Sequence, residues 1–388
     1  MYPEMKIGTH NGTFHCDDVV ACAMLKLLPE YGEADIIRTR DQDVLDECDI
    51  VVDVGGEFDH KKKRYDHHQQ GFTTTMRDIS SGKMKWNTKL SSAGLIYWFY
   101  GKKVICHFLQ IDKNEDAEQL EYVFQNMYKD FIQEIDEIDN GNRIQAGNNL
   151  FKIRTGISTR IASLNPDWRL DVKDKDYDEK FLEALKTASD EFVSKLKLIG
   201  DSTWAARVAL KEKLENKDSF RRNGKVLFFD KGEKYLPWPT HLDSLQKQLK
   251  IPKIDFIVGY DETNKDWKIT STVENGPDKL LFPADWRGLK DGKLVKVSKI
   301  DGVKFVHSNG YLAVVKDEEI CYKVIDVAYE YSERENLSKK MGRAEVFKEV
   351  GNLMNRTIVT EKYRPPHQRG RNQRFDDTDG WKDKHSRK

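Results

Sequence analysis

The chain has 388 residues, more than one hydrophobic core ordinarily serves, so two domains are expected. Its 65 basic and 65 acidic side chains cancel, which excludes capture of a polyanion by net charge alone; such a partner must meet a local patch or a metal site. No apolar run approaches the roughly 18 residues of a membrane helix, and five scattered cysteines without a C-x-x-C pair argue for a reduced, intracellular compartment.

The start, MYPEMKIGTH, carries neither an apolar signal core nor an arginine-rich leader, which predicts cytoplasm or nucleus. KIGTH (6–10), DIIRTR (35–40) and DIVVDVGG (49–56) are strand-length, apolar or β-branched, and stop at polar or glycine signals. Between the first two, DDVVACAMLKLLPEY has helical spacing, and its leading aspartates suit a helix N-terminus. This βαβ order predicts an α/β domain over 1–165, built on a parallel sheet with helices on both faces. SSAGLIYWFYGKKVICHFL and EYVFQNMYKDFIQEIDEIDNG read as two long helices, the second stopped by Asn140 and Gly141.

Residues 166–222 are charged and helical in pattern, as expected of a bridging, partly exposed linker. Strand signals return at KVLFFD (225–230), DFIVGY (255–260), WKITSTV (267–273) and GVKFVHSNGYLAVV (302–315), predicting a smaller α+β domain over 223–328. The remainder, 329–388, reads as a variable helix and a tail. Residues 361–388 are too poor in aliphatics to fold, but their basic and aromatic side chains suit loose contact with RNA.

Five of the ten histidines, His10, His15, His60, His67 and His68, fall in the first 68 residues. In an open α/β sheet ligands bind at the carboxyl ends of the strands. There the chain delivers His10, His15 and Asp17 from the first strand, Asp53 ahead of Gly55 and Gly56 from the third, Asp66-His67-His68 next, and Asp139 from a helix end. Imidazoles mixed with carboxylates suit a divalent ion, Mn²⁺ ahead of Mg²⁺ or Zn²⁺, and there are donors enough for two ions sharing one carboxylate. Asp53 is the candidate bridge. His60 reads as a solvated loop residue and Cys16 as a small buried residue opening the helix.

The motifs GTHNGTFHCD, RTRD, CDIVVDVGGEFD, RYDHHQ, TKLSSAGLIY and DNG resemble the melanocyte proliferating gene family of metal-dependent exonucleases, within the DHH phosphoesterase superfamily. RIASLNPDW, PWPTHL, DWRGL and KFVHSNGY extend the resemblance to about residue 310. It implies a DHH-type catalytic domain and hydrolysis of phosphodiester bonds in single-stranded RNA or short oligonucleotides, 3′ to 5′. It also implies mitochondrial residence, although no transit peptide is visible. The alternatives are a hydrolase of pyrophosphate or short nucleotides using the same site, and a non-catalytic metal-containing interaction protein.

By the same resemblance His10, His15 and Asp53 would hold the first ion, while Asp17, Asp53, His67 and Asp139 would hold the second. His68 would face the scissile phosphate and Asp66 would fix an imidazole tautomer from behind. An aspartate commonly stands where His15 does, and the first motif is one residue longer here. A glycine pair that usually follows the equivalent of VHSNGY is replaced by YLAVV. On the substrate side, Ser91 and Ser92 open a helix whose free N–H groups suit a phosphate, Arg160 suits a phosphate clamp, and His307, Asn309 and Tyr311 offer base contacts. Trp238 and Trp286 are expected in the core.

Overall fold

A computed structural model describes residues 5–142, 154–169, 173–272 and 280–340. The expected tail lies outside them. The chain divides into two compact units, Met1–Lys217 with Leu236–Ile251, and Asp218–Tyr235 with the chain from Pro252 onward.

In the first unit β1 (Lys6–Thr9), β2 (Asp35–Arg38), β3 (Ile50–Val52), β4 (Phe58–Asp59) and β5 (Arg64–Tyr65) form a sheet in the order β2-β1-β3-β5-β4. β1 pairs in parallel with β2 and β3, and β3 with β5; the edge strand β4 runs antiparallel. Successive residues of a strand face opposite sides, so Ile50 and Val52 enter the main core while Val51 packs with Leu45 and Cys48 on the other face. The three strands read from sequence are present. β4 and β5, two residues each, carry too little periodicity to be read.

The helices of this unit are α1 (Cys16–Lys26), α2 (Gln42–Asp46), α3 (Met76–Ile79), α4 (Ser92–Leu109), α5 (Ala117–Met127), α6 (Gln133–Asp139), α7 (Ile157–Ala162), α8 (Asp174–Lys197), α9 (Trp204–Glu215) and α10 (Leu242–Leu249). The second long helix of the sequence reading is α5 and α6 joined through a π-helical turn at Tyr128–Ile132, a widening that is frequent near functional sites. The stretch expected as a linker is not one. Phe181, Ala184, Ala188, Phe192 and Leu196 of α8 recur at helical spacing and are buried in the core that also holds α1 and α4.

The second unit has β6 (Phe220–Arg221), β7 (Val226–Phe229), β8 (Phe256–Asp261), β9 (Asp266–Ser271), β10 (Val303–Val306) and β11 (Leu312–Val315) in the order β10-β11-β9-β8-β7-β6. Only β7 and β8 pair in parallel. Helices α11 (Asp291–Ser298) and α12 (Glu318–Lys340) complete it, and Cys321, Val324, Ile325 and Ala328 of α12 join its core. Trp238 and Trp286 are buried, as expected. Among the described residues no helix is long and apolar enough to cross a membrane.

Candidate metal centre

The site is assembled at the ends of β1, β3, β5 and α6. The residue after β3 is Asp53, buried and held at φ 59°, a left-handed conformation uncommon for a residue with a side chain. Gly55 and Gly56 continue the turn at φ 96° and 69°. The turn directs the two Asp53 oxygens to different partners. Oδ2 lies 3.6 Å from His10 Nε2, and Oδ1 lies 3.4 Å from His67 Nε2.

His67 Nε2 is also 3.3 Å from Asp17 Oδ2 and 3.1 Å from Asp139 Oδ2. Yet neither His67 nitrogen has an aligned hydrogen-bond partner, and the same is true of Asp18 Oδ2, 3.3 Å from His10 Nε2. Buried polar atoms without partners are costly, and in an oxygen- and imidazole-rich cluster they fit divalent cations. Among the described residues three groups each bring their donor atoms within 4.8 Å of one another: His10, Asp18 and Asp53; Asp17, His67 and Asp139; Asp53, His67 and His68.

The protonation pattern follows from crowding. Burial, reinforced by repulsion from Asp53, pushes Asp17 up to about 6, and burial pushes Asp18 up to about 7 against the pull of His10. Burial would likewise raise Asp53, but the His10 and His67 imidazoles hold it below the ordinary carboxylate range. Burial would lower His67, yet Asp139, Asp17 and Asp53 together push it up to about 12.

Asp66 is the brace of the Asp-His-His turn. Its Oδ2 accepts the Gly56 N–H at 2.6 Å, and its Oδ1 accepts the His67 N–H at 2.7 Å, the His68 N–H at 3.1 Å and His68 Nδ1 at 2.8 Å. This fixes which nitrogen of His68 is engaged and leaves Nε2 for another partner. The His68 side chain is 62% exposed, unlike the buried His67 beside it.

Several expected residues sit differently. His15 is the N-cap residue of α1 and is exposed; it belongs to none of the three donor groups. The α4 N–H groups expected to meet phosphate are already donated: Ser91 N to Asp136 at 2.9 Å, and Ser92 N and Ala93 N to the two oxygens of Asp17 at 2.9 and 2.6 Å. Ser92 Oγ contacts Asp53 at 3.3 Å, so Ser92 supports the cluster rather than presenting a free anion site. Arg160 pairs with Glu191 at 2.8 Å and lines a cavity of about 390 Å³ that shares no residue with the cluster. His307, Asn309 and Tyr311 lie on the β10–β11 connection of the second unit, with the His307 and Tyr311 rings 4.7 Å apart. His60 is an exposed turn residue, but it is not merely solvated: its ring stacks on Phe99 and its Nδ1 lies 2.6 Å from Tyr65 Oη. Cys16 opens α1 in a buried position, as its sequence context suggested.

Three supporting residues escaped the sequence reading. Asp18 was absorbed into the helix-start signal that it also satisfies. Asp136 is fully buried beneath Ser91, whose N–H and hydroxyl both donate to its Oδ1, while Tyr128 donates to Oδ2. Asn165 exchanges two hydrogen bonds with the Phe14 backbone across 151 residues, tying the start of the α7–α8 connection to the loop that carries His15.

A family model for MYG1 exonucleases, described as "Uncharacterised protein family (UPF0160)", matches residues 6–328. The MYG1 exonuclease of Homo sapiens is 41% identical over 312 residues, covering 79% of this chain and 81% of that protein. MYG1 protein C27H6.8 of Caenorhabditis elegans is 36% identical over 79% of this chain and 89% of its own length. The MYG1 protein of Dictyostelium discoideum is 35% identical over 81% and 94%. A solved pGpG-specific phosphodiesterase, PggH, covers 84% of this chain and 99% of its own at 11% identity, with a TM-score of 0.25 too low to argue from.

Proposed function

The chain belongs to the MYG1 family, and from that premise we propose that it is a two-metal phosphodiester hydrolase acting as an exonuclease on single-stranded RNA. The observation that carries the reading is Asp53, whose two oxygens face separate histidine–carboxylate groups from a strained turn. Ions of the Mn²⁺ type, when bound, supply Lewis-acid activation of water and neutralise charge developing on phosphoryl oxygens. Asp17, His67 and Asp139 with Asp53 would hold one ion, and His10 with Asp53 would hold the other.

The chain's own chemistry centres on His68. Its hydrogen bond to Asp66 raises its pKa above the ordinary value, against the opposing effect of burial. The imidazolium form then carries a proton on Nε2, suited to donation to the departing oxygen of a phosphodiester. Substrate enters from the exposed side of this ring. Tyr311 and His307, on the second unit, carry rings suited to stacking on a base, and the direction of cleavage we propose is 3′ to 5′.

The test is a hydrolysis screen with added Mn²⁺ over a short RNA, a matching DNA, a dinucleotide and pyrophosphate. RNA should be shortened one mononucleotide at a time. Asp53→Asn should lower that rate by more than about 100-fold with the fold retained, because even partners behind a metal ligand are worth about 10–100-fold. Rapid pyrophosphate hydrolysis with RNA left intact would replace the exonuclease reading by a small-molecule phosphohydrolase. An Asp53→Asn protein with the wild-type rate would remove the metal site from the mechanism altogether.

A further inference from the structure

We propose that Asp18, rather than His15, completes the ligand set of the first ion together with His10 and Asp53. The inference rests on the two-ion reading above and changes the composition of one of its sites. Asp18 is the third residue of α1, and its side chain is fully buried. Its two oxygens have separate tasks. Oδ1 accepts the His15 N–H at 2.7 Å and closes the helix start, whereas Oδ2, 3.3 Å from His10 Nε2, has no hydrogen-bond partner. A carboxylate oxygen taken from water and given no donor is costly, and a cation between it, His10 and Asp53 offsets that cost.

The geometry supports one ion at this place. Asp53 Oδ2 lies 3.6 Å from the same His10 Nε2, and one donor atom from each of the three residues falls within 4.8 Å of the others. His15 is exposed and belongs to none of the donor groups, although its ring centroid stands 5.9 Å from that of His10. His15 stands at the cap of α1, while the first helical turn carries Asp18 inward. One imidazole and two carboxylates make a harder donor set than two imidazoles and one carboxylate, which favours Mn²⁺ or Mg²⁺ over Zn²⁺.

The experiment is calorimetric titration of the metal-free full chain with Mn²⁺, for wild type, Asp18→Asn and His15→Ala, with thermal melts followed by circular dichroism. Asparagine keeps an oxygen for the His15 N–H, so the helix start survives. Wild type and His15→Ala should each take up two ions, and Asp18→Asn one. A second variant guards against a folding defect. Asp18→Cys titrated with Cd²⁺ should gain a thiolate-to-metal charge-transfer absorption over the wild-type background, and His15→Cys should not. Two ions bound by Asp18→Asn with unchanged affinity, an ion lost in His15→Ala, or charge-transfer absorption in His15→Cys alone would each overturn the inference. Wild type that binds no Mn²⁺ would overturn the two-ion reading, and this inference with it.

Discussion

At the scale of single residues the proposed function separates metal holding from proton handling by burial. His67 and His68 are sequence neighbours, yet one is enclosed by three carboxylates and the other is largely open, with only Nδ1 engaged by Asp66. That assignment yields a pH test. His68 is raised chiefly by its hydrogen bond to Asp66, and as an acid it works only while protonated, so the rate should fall as pH rises through its pKa. Asp66→Asn removes the charge that raises it. The alkaline limb of the rate–pH profile should therefore move to lower pH, and a limb that stays in place would take His68 out of the acid role. His10, Asp17, Asp53, His67 and Asp139 were legible as candidates because each stands at or beside an element end, where an open α/β sheet binds its ligands. Asp18 was not, because its sequence position has a second, sufficient explanation as a helix-start residue.

At the scale of elements the N-terminus of α4 anchors the cluster. Its first N–H groups go to Asp136 and Asp17, and a Cβ on Gly94 would stand 2.4 Å from Asp136 Oδ1, so the helix start and the acid are fitted to each other. Burial pushes Asp136 up to about 8, with the Ser91 and Tyr128 donors acting against it. The folded chain thus keeps a proton that the unfolded chain, with an ordinary aspartate near 3.8, has released. Between roughly pH 4 and pH 8 this residue should make stability fall as pH rises, by up to about 1.4 kcal/mol per pH unit. Asp136→Asn should flatten that slope in urea midpoints measured across the window. A slope identical in both proteins would mean that the donors win and that Asp136 is ionised throughout. The long helices were visible in their apolar spacing, but nothing local in the sequence marks a cap supplied from 45 residues away.

At the scale of the whole molecule the two units are threaded through one another along the chain. After Lys217 the backbone enters the second unit, returns at Leu236–Ile251, and leaves again at Pro252. The returning piece buries Trp238, Leu242 and Leu245, and Arg207 of α9 donates to Ser244 at 2.9 Å and to Gln248 at 2.8 Å. Each large apolar side chain so buried contributes about 1.5–3 kcal/mol. A fragment ending at residue 217 should therefore be several kcal/mol less stable than one in which a short Gly-Ser linker replaces 218–235 and the chain runs to 251. Urea unfolding of the two fragments decides it, and equal midpoints would show that the returning piece is dispensable. Composition alone suggests a charged linker over 166–222, because it does not show which way each helix turns its apolar stripe.

The crowding of Asp17, Asp18, Asp53 and Asp139 around two imidazoles also bears on how long the protein lasts in a cell. A ligand that binds only the folded chain adds about 2.7 kcal/mol of stability at one hundred times its dissociation constant. Ions held by residues from β1 to α6 would therefore brace the whole first unit. Copies made while the proposed ion is scarce should be cleared faster by quality-control proteases, so that abundance, and not only turnover, follows its supply.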